Sequence, residues 1–328
     1  MVSGKQAGAV VGLAACGTAK TPGETLTVYR KEQAQEEFGA DSPIVRLVEL
    51  LLRNGASALV IAPVGADQDY ASAFAALGKK EEVSILVCDS TDATVHAAMK
   101  SAVEEAFTMR RERIGVVSGG VGEDASALMD RAATLNSERL VLVAPEASGE
   151  TLGGPMLAAA VAGAIAGETD PALPLSGAEL VGISDVTEVY SEETIDALVR
   201  GGVTVMERSN GVLCVVRGVT TRTKTGGVPD VTWRELGTIR VVDDVVPTVR
   251  NALRARFARS KNTEQVRSAI RSQVILELEN KLRQEIITSY GEVVVSALPD
   301  KPTVCLVEFS FTVTHGLNQI WLSAKITV

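Results

Sequence analysis

The stretch SILVCDSTDATVHAAMKSAVEEAFTMRRERIGVVSGGVGEDASALMDRAATLNSERLVLVA, residues 84–144, decides the fold class of this chain. Three short apolar runs, SILVC, IGVVS and LVLVA, are separated by two longer stretches that carry apolar residues at helical spacing. Continuous apolar runs are typical of strands that are covered on both faces. Strands that alternate with helices therefore predict an α/β fold with a mainly parallel sheet and flanking helices.

The same alternation extends in both directions along the chain. Further strands are predicted at residues 8–16, 26–29 and 58–64, and further helices at residues 43–53 and 71–77. An alanine-rich helix at 155–167 and a short helix at 191–200 follow. Two apolar runs around the turn dipeptide Asn210–Gly211 then predict an antiparallel strand pair.

The best internal boundary is the segment GVTTRTKTGGVP, residues 218–229, which is polar and has no hydrophobic period. Beyond it we predict an α+β domain with a strand at 238–242, a helix capped by Asp244 and a helix from Asn262 through Thr288. Antiparallel strands are expected at 292–297, 303–314 and 319–328. The predicted divisions are an N-terminal strand or short arm at 1–20, an α/β domain at 21–218, an α+β domain at 219–317 and a C-terminal strand or arm at 318–328.

Composition narrows the class of protein. The chain has 328 residues, 46% of them hydrophobic, and a net charge of −9, which predicts about two folded domains and argues against a general nucleic-acid binder. The start of the sequence has no charged region leading into a signal core, and residues 155–167 are too short an apolar run to span a bilayer. Four cysteines in apolar runs without metal-ligand spacing are expected to be buried, reduced thiols of a protein made in the cytoplasm: Cys16, Cys88, Cys214 and Cys305.

An enzyme or a nucleotide-binding protein would have to use the glycine loop Ser118–Glu123, the best phosphate-loop candidate in the sequence. That loop lacks the lysine of a phosphate-binding loop, and Glu123 and Asp124 place negative charge where a phosphate would sit. The acids after the strands are better explained as helix caps. His96 and His315 are the only histidines, and no nucleophile-elbow motif accompanies them. We therefore expect no catalytic residue, cofactor or metal, and keep the loop enzyme as the alternative.

Positive charge is concentrated in residues 245–272. This segment holds six arginines and Lys261 against one acid, Glu264, and leaves a charge of −15 on the rest of the chain. Two interpretations stay open: a solvated helix surface, or a basic face that docks on an acidic partner or on an acidic face of an identical subunit.

The last eleven residues read NQIWLSAKITV and alternate with a period of two. A strand of this length either finishes the sheet of its own chain or completes the sheet of a neighbour, because an open edge is a template for pairing.

Four stretches of the second half resemble one known family in their order and spacing. They are GGPMLAAAVAGAIAGETDP at 153–171, LVGISDV at 180–186, EETIDALVRGGVTVMERSNGVLCVVRGVTT at 192–221 and WRELGTIRVVDDVVPTVRNALRARF at 233–257. The chain resembles the contractile tail sheath family, which includes the sheaths of contractile-tailed phages, R-type bacteriocins and related injection systems. The likeness is good over about residues 150–328 and looser before them.

The resemblance implies a mechanical function. Sheath subunits stack as rings around an inner tube and contract to drive the tube through a target envelope, without consuming a nucleotide. The implied partners are further copies of the chain, the inner tube protein and the baseplate and terminator proteins, with no nucleic acid and no membrane insertion. The implied location is the tail of a virion or injection particle that is assembled in the cytoplasm of a bacterial host.

The resemblance also implies roles for particular residues. Terminal arms of sheath subunits add strands to the sheets of neighbours, and here the C-terminal arm would be residues 318–328. Relatives usually also have an N-terminal arm; here either residues 1–16 are that arm or the arm is short. The residues expected to take part in strand exchange are Ile320, Trp321, Leu322, Ala324, Ile326 and Val328. The residues expected to make a charge contact with the tube or with another subunit are Arg250, Arg254, Arg267 and Arg271.

Overall fold

The structure is a computed structural model that describes residues 8–17, 25–65, 67–318 and 323. The chain divides into two compact units. The first unit takes the residues up to Thr169 together with Leu175–Leu236. The second takes Asp170–Pro174 and the residues from Gly237 onward.

The first unit is built on one sheet, in which the described residues form eight strands in the order β2-β3-β1-β4-β5-β6-β7-β8. Neighbouring strands are parallel except at the two ends, where β2 pairs with β3 and β8 pairs with β7 in antiparallel fashion. The predicted, mainly parallel sheet is therefore confirmed. The strands are β1 (Val10–Cys16), β2 (Leu26–Val28), β3 (Ala58–Val64), β4 (Val83–Cys88), β5 (Ile114–Ser118), β6 (Leu140–Ala144), β7 (Val203–Ser209) and β8 (Val212–Val215).

Helices flank this sheet, and polar side chains start several of them. The side chains of Asp69, Asp92, Asp124 and Ser191 each accept a hydrogen bond from a backbone N–H of the helix that follows. The prediction that acids after the strands cap helices is confirmed for these three aspartates. It is wrong for Asp89, which accepts hydrogen bonds from the Cys16 N–H and the Tyr70 hydroxyl, and for Glu146, which accepts one from the Gly122 N–H. The helices are α1 (Lys31–Phe38), α2 (Pro43–Arg53), α3 (Tyr70–Gly78), α4 (Ala93–Thr108), α5 (Ala125–Leu135), α6 (Gly153–Gly167) and α7 (Glu192–Arg200).

The alanine-rich helix α6 packs unusually close to its neighbours. A Cβ atom at Gly163 would lie 2.7 Å from the backbone oxygen of Leu51, and one at Gly154 would lie 2.8 Å from the Ser118 side chain. Small side chains at these positions therefore allow α6 to approach α2 and the end of β5. Nearly all of α6 is buried as a result.

The polar segment 218–229, where the sequence predicts a domain boundary, makes its contacts in the first unit. The Asn136 Oδ1 accepts the backbone N–H groups of Thr223 and Lys224, and the Thr221 hydroxyl donates to the Ser137 carbonyl at 3.0 Å. Arg222 forms an ion pair with Glu138 at 3.0 Å. We name residues 218–236 the clamp segment. It contains the short strands β9 (Lys224–Thr225) and β10 (Val228–Pro229), which pair with each other.

The second unit packs two long helices against short antiparallel strands. Its core is formed by Val241, Val245 and Val249 of α8 together with Val274 and Leu278 of α9. The elements are α8 (Leu236–Phe257), α9 (Glu264–Arg283), β11 (Ile287–Tyr290), β12 (Val294–Leu298), β13 (Lys301–Glu308) and β14 (Phe311–Val313). The strands form two separate pairs, β11 with β14 and β12 with β13.

Four predictions for the second unit are wrong. The strand expected at 303–314 is two strands, β13 and β14, which belong to different pairs. Residues 238–242 are helical because the whole of α8 is one helix that runs through Pro247. Asp244 is therefore inside that helix, where its carboxylate pairs with Lys281 at 2.5 Å and caps nothing. The second helix is capped by Thr263 instead of Asn262 and ends at Arg283, because Glu285 takes a left-handed φ of 59° and Ile287 begins β11.

The cysteines are free thiols, but only Cys88 is buried, and Cys16, Cys214 and Cys305 are half-buried. No helix within the described ranges is long and apolar enough to cross a bilayer.

Candidate functional site

The glycine loop that follows β5 is already occupied by carboxylates of the chain itself. The Gly120 N–H donates to Glu123 Oε2 at 2.9 Å, and the Gly122 N–H donates to Glu146 Oε1 at 2.8 Å. The Ala127 N–H, at the start of α5, donates to Asp124 Oδ1 at 2.8 Å. A bound phosphate would need these same N–H donors, which already bind carboxylates of the chain. The loop therefore gives no support to the nucleotide-binding or enzyme alternative.

Arg131 of α5 holds the glycine loop from behind. Its guanidinium contacts both carboxylate oxygens of Glu123, with Nε at 2.9 Å from Oε2, and donates to the Thr91 carbonyl at 3.2 Å. The hydrogen bond from Arg131 lowers the pKa of the Glu123 carboxyl. Arg131 therefore neutralises the charge of Glu123, whereas the other carboxylates near the loop have no ion-pair partner among the described residues.

A cleft of about 520 Å³ opens beside the loop, and we name it the acidic cleft. Its floor is apolar, with Leu128, Val143 and Ala144 each 2% exposed or less. Tyr190 lines the cleft, and burial together with the charges of nearby carboxylates raises the pKa of its phenol to about 12. The carboxylates that act on Tyr190 are Glu188, Asp124 and Glu146.

His96 lies under the glycine loop and is fully buried. One ring nitrogen, Nε2, lies 2.8 Å from the Ser90 carbonyl, and Nδ1 lies 3.4 Å from Arg131 Nη1. Both contacts fit a neutral ring that donates at Nε2 and accepts at Nδ1. Burial lowers the pKa of His96 to about 4, so the ring is neutral in the folded protein at neutral pH.

We expect the free energy of unfolding to fall as the pH is lowered from about 6.5 toward 4. The pKa of a histidine in the unfolded chain is about 6.5, so acid protonates the unfolded state first and favours it. The full stabilisation is present above pH 6.5, and on the order of 3 kcal/mol is lost by pH 4 because of this one residue. Urea unfolding at a series of pH values between 7 and 4.5 measures the slope.

The control for the pH prediction is the other histidine, His315, which is exposed. His96→Gln should flatten the pH dependence of unfolding in this window, whereas His315→Gln should leave it as it is. An unchanged slope in the His96→Gln variant would contradict the assignment.

The structure separates the basic residues of 245–272 into those that are engaged and those that are free. Arg267 donates to Asn262 Oδ1 at 2.9 Å, and Arg271 lies 3.8 Å from Glu292. Arg256 donates to the buried Gln273 amide. Three exposed residues have side chains without a hydrogen bond or ion pair to any residue that the structure describes: Arg254, Arg259 and Lys261.

We name these three residues the basic turn, because they lie at the end of α8 and in the loop before α9. Arg259 and Lys261 were not among the residues chosen from sequence for the charge contact. The sequence did carry one sign that these two side chains lack partners. Both lie in a loop between two predicted helices, where helical ion-pair spacing does not apply.

The two strand pairs of the second unit have no further strand beside them within the described residues, although the Asn262 amide donates to the Pro302 and Val304 carbonyls of β13. β12 and β13 pair only with each other, from Val294↔Glu308 to Leu298↔Lys301. Val294, Val304 and Leu306 are 38–42% exposed, so the pair also exposes apolar side chains. An isolated two-stranded pair is marginal in water and gains from an added strand. The six residues predicted for strand exchange, Ile320, Trp321, Leu322, Ala324, Ile326 and Val328, lie outside the described residues.

Comparisons with known proteins agree along the length of the chain. Residues 65–221 match the model of the phage tail sheath protein central domain, and residues 228–327 match the model of the phage tail sheath C-terminal domain. A tail sheath protein of Bacillus phage SP01 is 28% identical over 251 residues, which is 74% of this chain and 43% of that protein. The chain thus spans less than half the length of this curated relative.

Solved structures with a similar fold include one sheath protein and two chains from assemblies of a prophage. The sheath tail protein from Desulfitobacterium hafniense is 13% identical with a TM-score of 0.78, over 100% of this chain and 98% of that one. A chain of the baseplate of the anti-feeding prophage is 17% identical with a TM-score of 0.79, over 100% of this chain and 97% of that one. A chain of the contracted helical sheath of that prophage is 18% identical with a TM-score of 0.78, over 99% of this chain and 95% of that one. At these identities the likeness shows a shared fold.

Proposed function

Because this chain belongs to the phage tail sheath family, we propose that it is a structural subunit that polymerises around an inner tube and contracts to drive the tube through a target envelope. The observation that carries the proposal is the match of two consecutive sheath domain models, in chain order, to residues 65–221 and 228–327. The closed glycine loop agrees with it, because the most plausible phosphate site is filled by side chains of the chain itself.

The proposed partners follow from the family. One solved relative forms a helical sheath in a contracted state, and another similar chain belongs to a baseplate. We propose that the present chain likewise assembles with further copies of itself and contacts an inner tube protein and the baseplate and terminator proteins. Its location would be the tail of a virion or injection particle, assembled in the cytoplasm of a bacterial host.

Strand exchange is proposed as the bond between neighbouring copies. Residues 318–328 of one copy would add to an open edge of the β12–β13 pair of another copy, with Ile320, Leu322 and Ile326 covering the exposed apolar side chains there. Main-chain hydrogen bonds formed in this way persist when side-chain contacts are exchanged, which suits a lattice that must rearrange without coming apart. Trp321, Ala324 and Val328 complete the set of exchanged residues.

A charge contact is proposed as the second, weaker interaction. Arg250, Arg254, Arg267 and Arg271 lie on α8 and α9, where they would face the tube or another subunit. Each exposed ion pair contributes at most about 1 kcal/mol, but a sheath repeats the contact in every copy. Such contacts are screened by salt and can be exchanged singly, which suits a grip that must be released.

Negative-stain electron microscopy of the purified protein tests the function directly. At concentrations that favour assembly we expect long hollow cylinders, because a contracted sheath is the low-energy end state of the proposed cycle. Uniform globular particles at every concentration and salt condition would contradict the proposal. The matched control is the same protein with its strand-exchange residues removed, which should give particles of monomer size.

A further inference from the structure

Three carboxylates of the acidic cleft accept hydrogen bonds from neutral groups: the N–H groups of Ala127 and Gly122 bind Asp124 and Glu146, and the Tyr190 hydroxyl binds Glu188. Glu123, behind the loop, pairs with Arg131, but none of Asp124, Glu146 and Glu188 forms an ion pair with any described residue. Glu188 is exposed at the mouth of the cleft. Three carboxylates around one opening repel each other, and an incoming cation relieves that repulsion.

The shape of the cleft fits a long cationic side chain better than a small ion. Its floor is formed by Leu128, Val143 and Ala144, and Val121 and Val189 in its surroundings are 81% and 83% exposed. Lysine and arginine bury an aliphatic stem against such surfaces while their charged ends reach acids at the rim. No group of three or more potential metal ligands in the searched, described residues is arranged to hold a metal ion.

The basic turn is the matching surface on the same chain. The side chains of Arg254, Arg259 and Lys261 are exposed and have no polar partner among the described residues. Those of Arg256, Arg267 and Arg271 make contacts within their own unit. Arg259 and Lys261 lie between the end of α8 at Phe257 and the start of α9 at Glu264, so their side chains are not fixed by helical neighbours.

We propose that the acidic cleft of one copy is the docking site for the basic turn of a second copy. The inference rests on the proposed function, since it requires copies to assemble, and it names the partner of the charge contact. It also selects Arg259 and Lys261, with Arg254, over the engaged Arg267 and Arg271. The exposed Val121 and Val189 would be covered when the turn docks. Contacts of this kind fix register and orientation and weaken as the salt concentration rises.

A charge-exchange experiment on the full-length protein tests the pairing. Glu188→Lys and Arg259→Glu are made separately and together, because both side chains are exposed and neither caps a helix. The concentration at which half of the protein sediments as polymer in about 0.1 M salt is the measured quantity. Each single change should raise it about tenfold, and the combined variant should return to within about threefold of the unmodified protein.

The outcomes separate the docking contact from the proposed function. Glu105→Lys, which reverses an exposed carboxylate of α4 outside the cleft, is the control and should leave assembly unchanged. If the unmodified chain polymerises but the single changes have no effect, or the combined variant is no better than either single one, the docking contact is wrong and the function stands. If the unmodified chain never polymerises, the proposed function fails and the docking contact fails with it.

Discussion

A chain that ends at Leu317 is expected to fold but to remain monomeric where the full-length protein polymerises, with assembly weakened by at least about 100-fold. The physical reason is that the proposed strand addition would contribute several main-chain hydrogen bonds, each of about 1 kcal/mol, and would bury Ile320, Leu322 and Ile326. The described core of the second unit supports the folding of the shortened chain, since its members are Ala172 and residues from Val241 to Val313.

Sedimentation velocity measures the assembly state of the truncated protein, and circular dichroism with urea unfolding checks its fold. A matched pair of full-length variants isolates the backbone contribution: Leu322→Pro removes an N–H donor, whereas Leu322→Ala keeps it. The proline variant should behave like the truncated chain, and the alanine variant should assemble with a smaller loss. A truncated protein that is unfolded would show that residues 318–328 finish the sheet of their own chain. One that polymerises normally would show that they are not the bond between copies.

Replacing Arg113 by methionine is expected to lower the free energy of unfolding by about 2 kcal/mol. Arg113 is 1% exposed, and its guanidinium donates to the carbonyls of Leu77 at 3.0 Å, Gly78 at 3.3 Å and Lys80 at 2.5 Å. The Leu77 and Gly78 carbonyls end α3 and the Lys80 carbonyl follows it, in a turn where the last carbonyls of a helix have no partners four residues on. Methionine fills the space but leaves the Lys80 carbonyl without its donor, whereas the Leu77 carbonyl keeps the Lys80 N–H and the Gly78 carbonyl keeps the Arg111 guanidinium.

Arg111 offers the control, because it also donates to the Gly78 carbonyl, at 3.0 Å, but its side chain is 35% exposed. Water can replace its hydrogen bonds, so Arg111→Met should cost less than about 1 kcal/mol. Arg113→Lys should fall between the two, because an ammonium keeps the charge but lacks the planar fork. Urea unfolding curves for the three variants give the comparison, and equal losses at Arg111 and Arg113 would contradict the role assigned to burial.

The sheet of the first unit could be predicted because its strands are short, apolar and separated by helix signals. Residues such as Asn210–Gly211 added local certainty, since the φ angles of 51° and 86° found there are the ones that this dipeptide favours. By contrast, α1 was not predicted. Its sequence KEQAQEEF has only Ala34 buried, so it leaves no hydrophobic period to detect.

The error at α8 has a specific physical origin. The residues at the start of α8 locally favour a strand, because they include the β-branched Thr238, Ile239, Val241 and Val242. The spacing of the apolar residues favours a helix instead. Val241, Val245, Val249 and Leu253 recur every four residues on both sides of Pro247, and in the structure they contribute to the core of the second unit. Tertiary packing of that stripe decides for the helix, and the proline does not end it.

The candidate surfaces were predicted less completely than the fold, because they depend on contacts between distant residues. The glycine loop is closed in part by Glu146, 24 residues after Gly122, and no local motif announces that contact. The basic segment was visible in the sequence, but ion pairing to Glu292 and the bond to Asn262 decide which arginines are free. The charge contact and the strand exchange therefore stay predictions.

The clamp segment has a consequence for how the chain would bear tension. Several bonds hold this segment to the rest of the first unit. Asn136 binds the backbone of residues 223 and 224, Thr221 binds Ser137, and Arg222 pairs with Glu138. A further ion pair joins Arg217 to Glu235 at 2.6 Å, next to the start of α8. A pull along the chain from α8 would therefore meet several side-chain bonds, each of which holds the clamp segment to the first unit. Loss of any one of these bonds would leave the others to keep the segment in place.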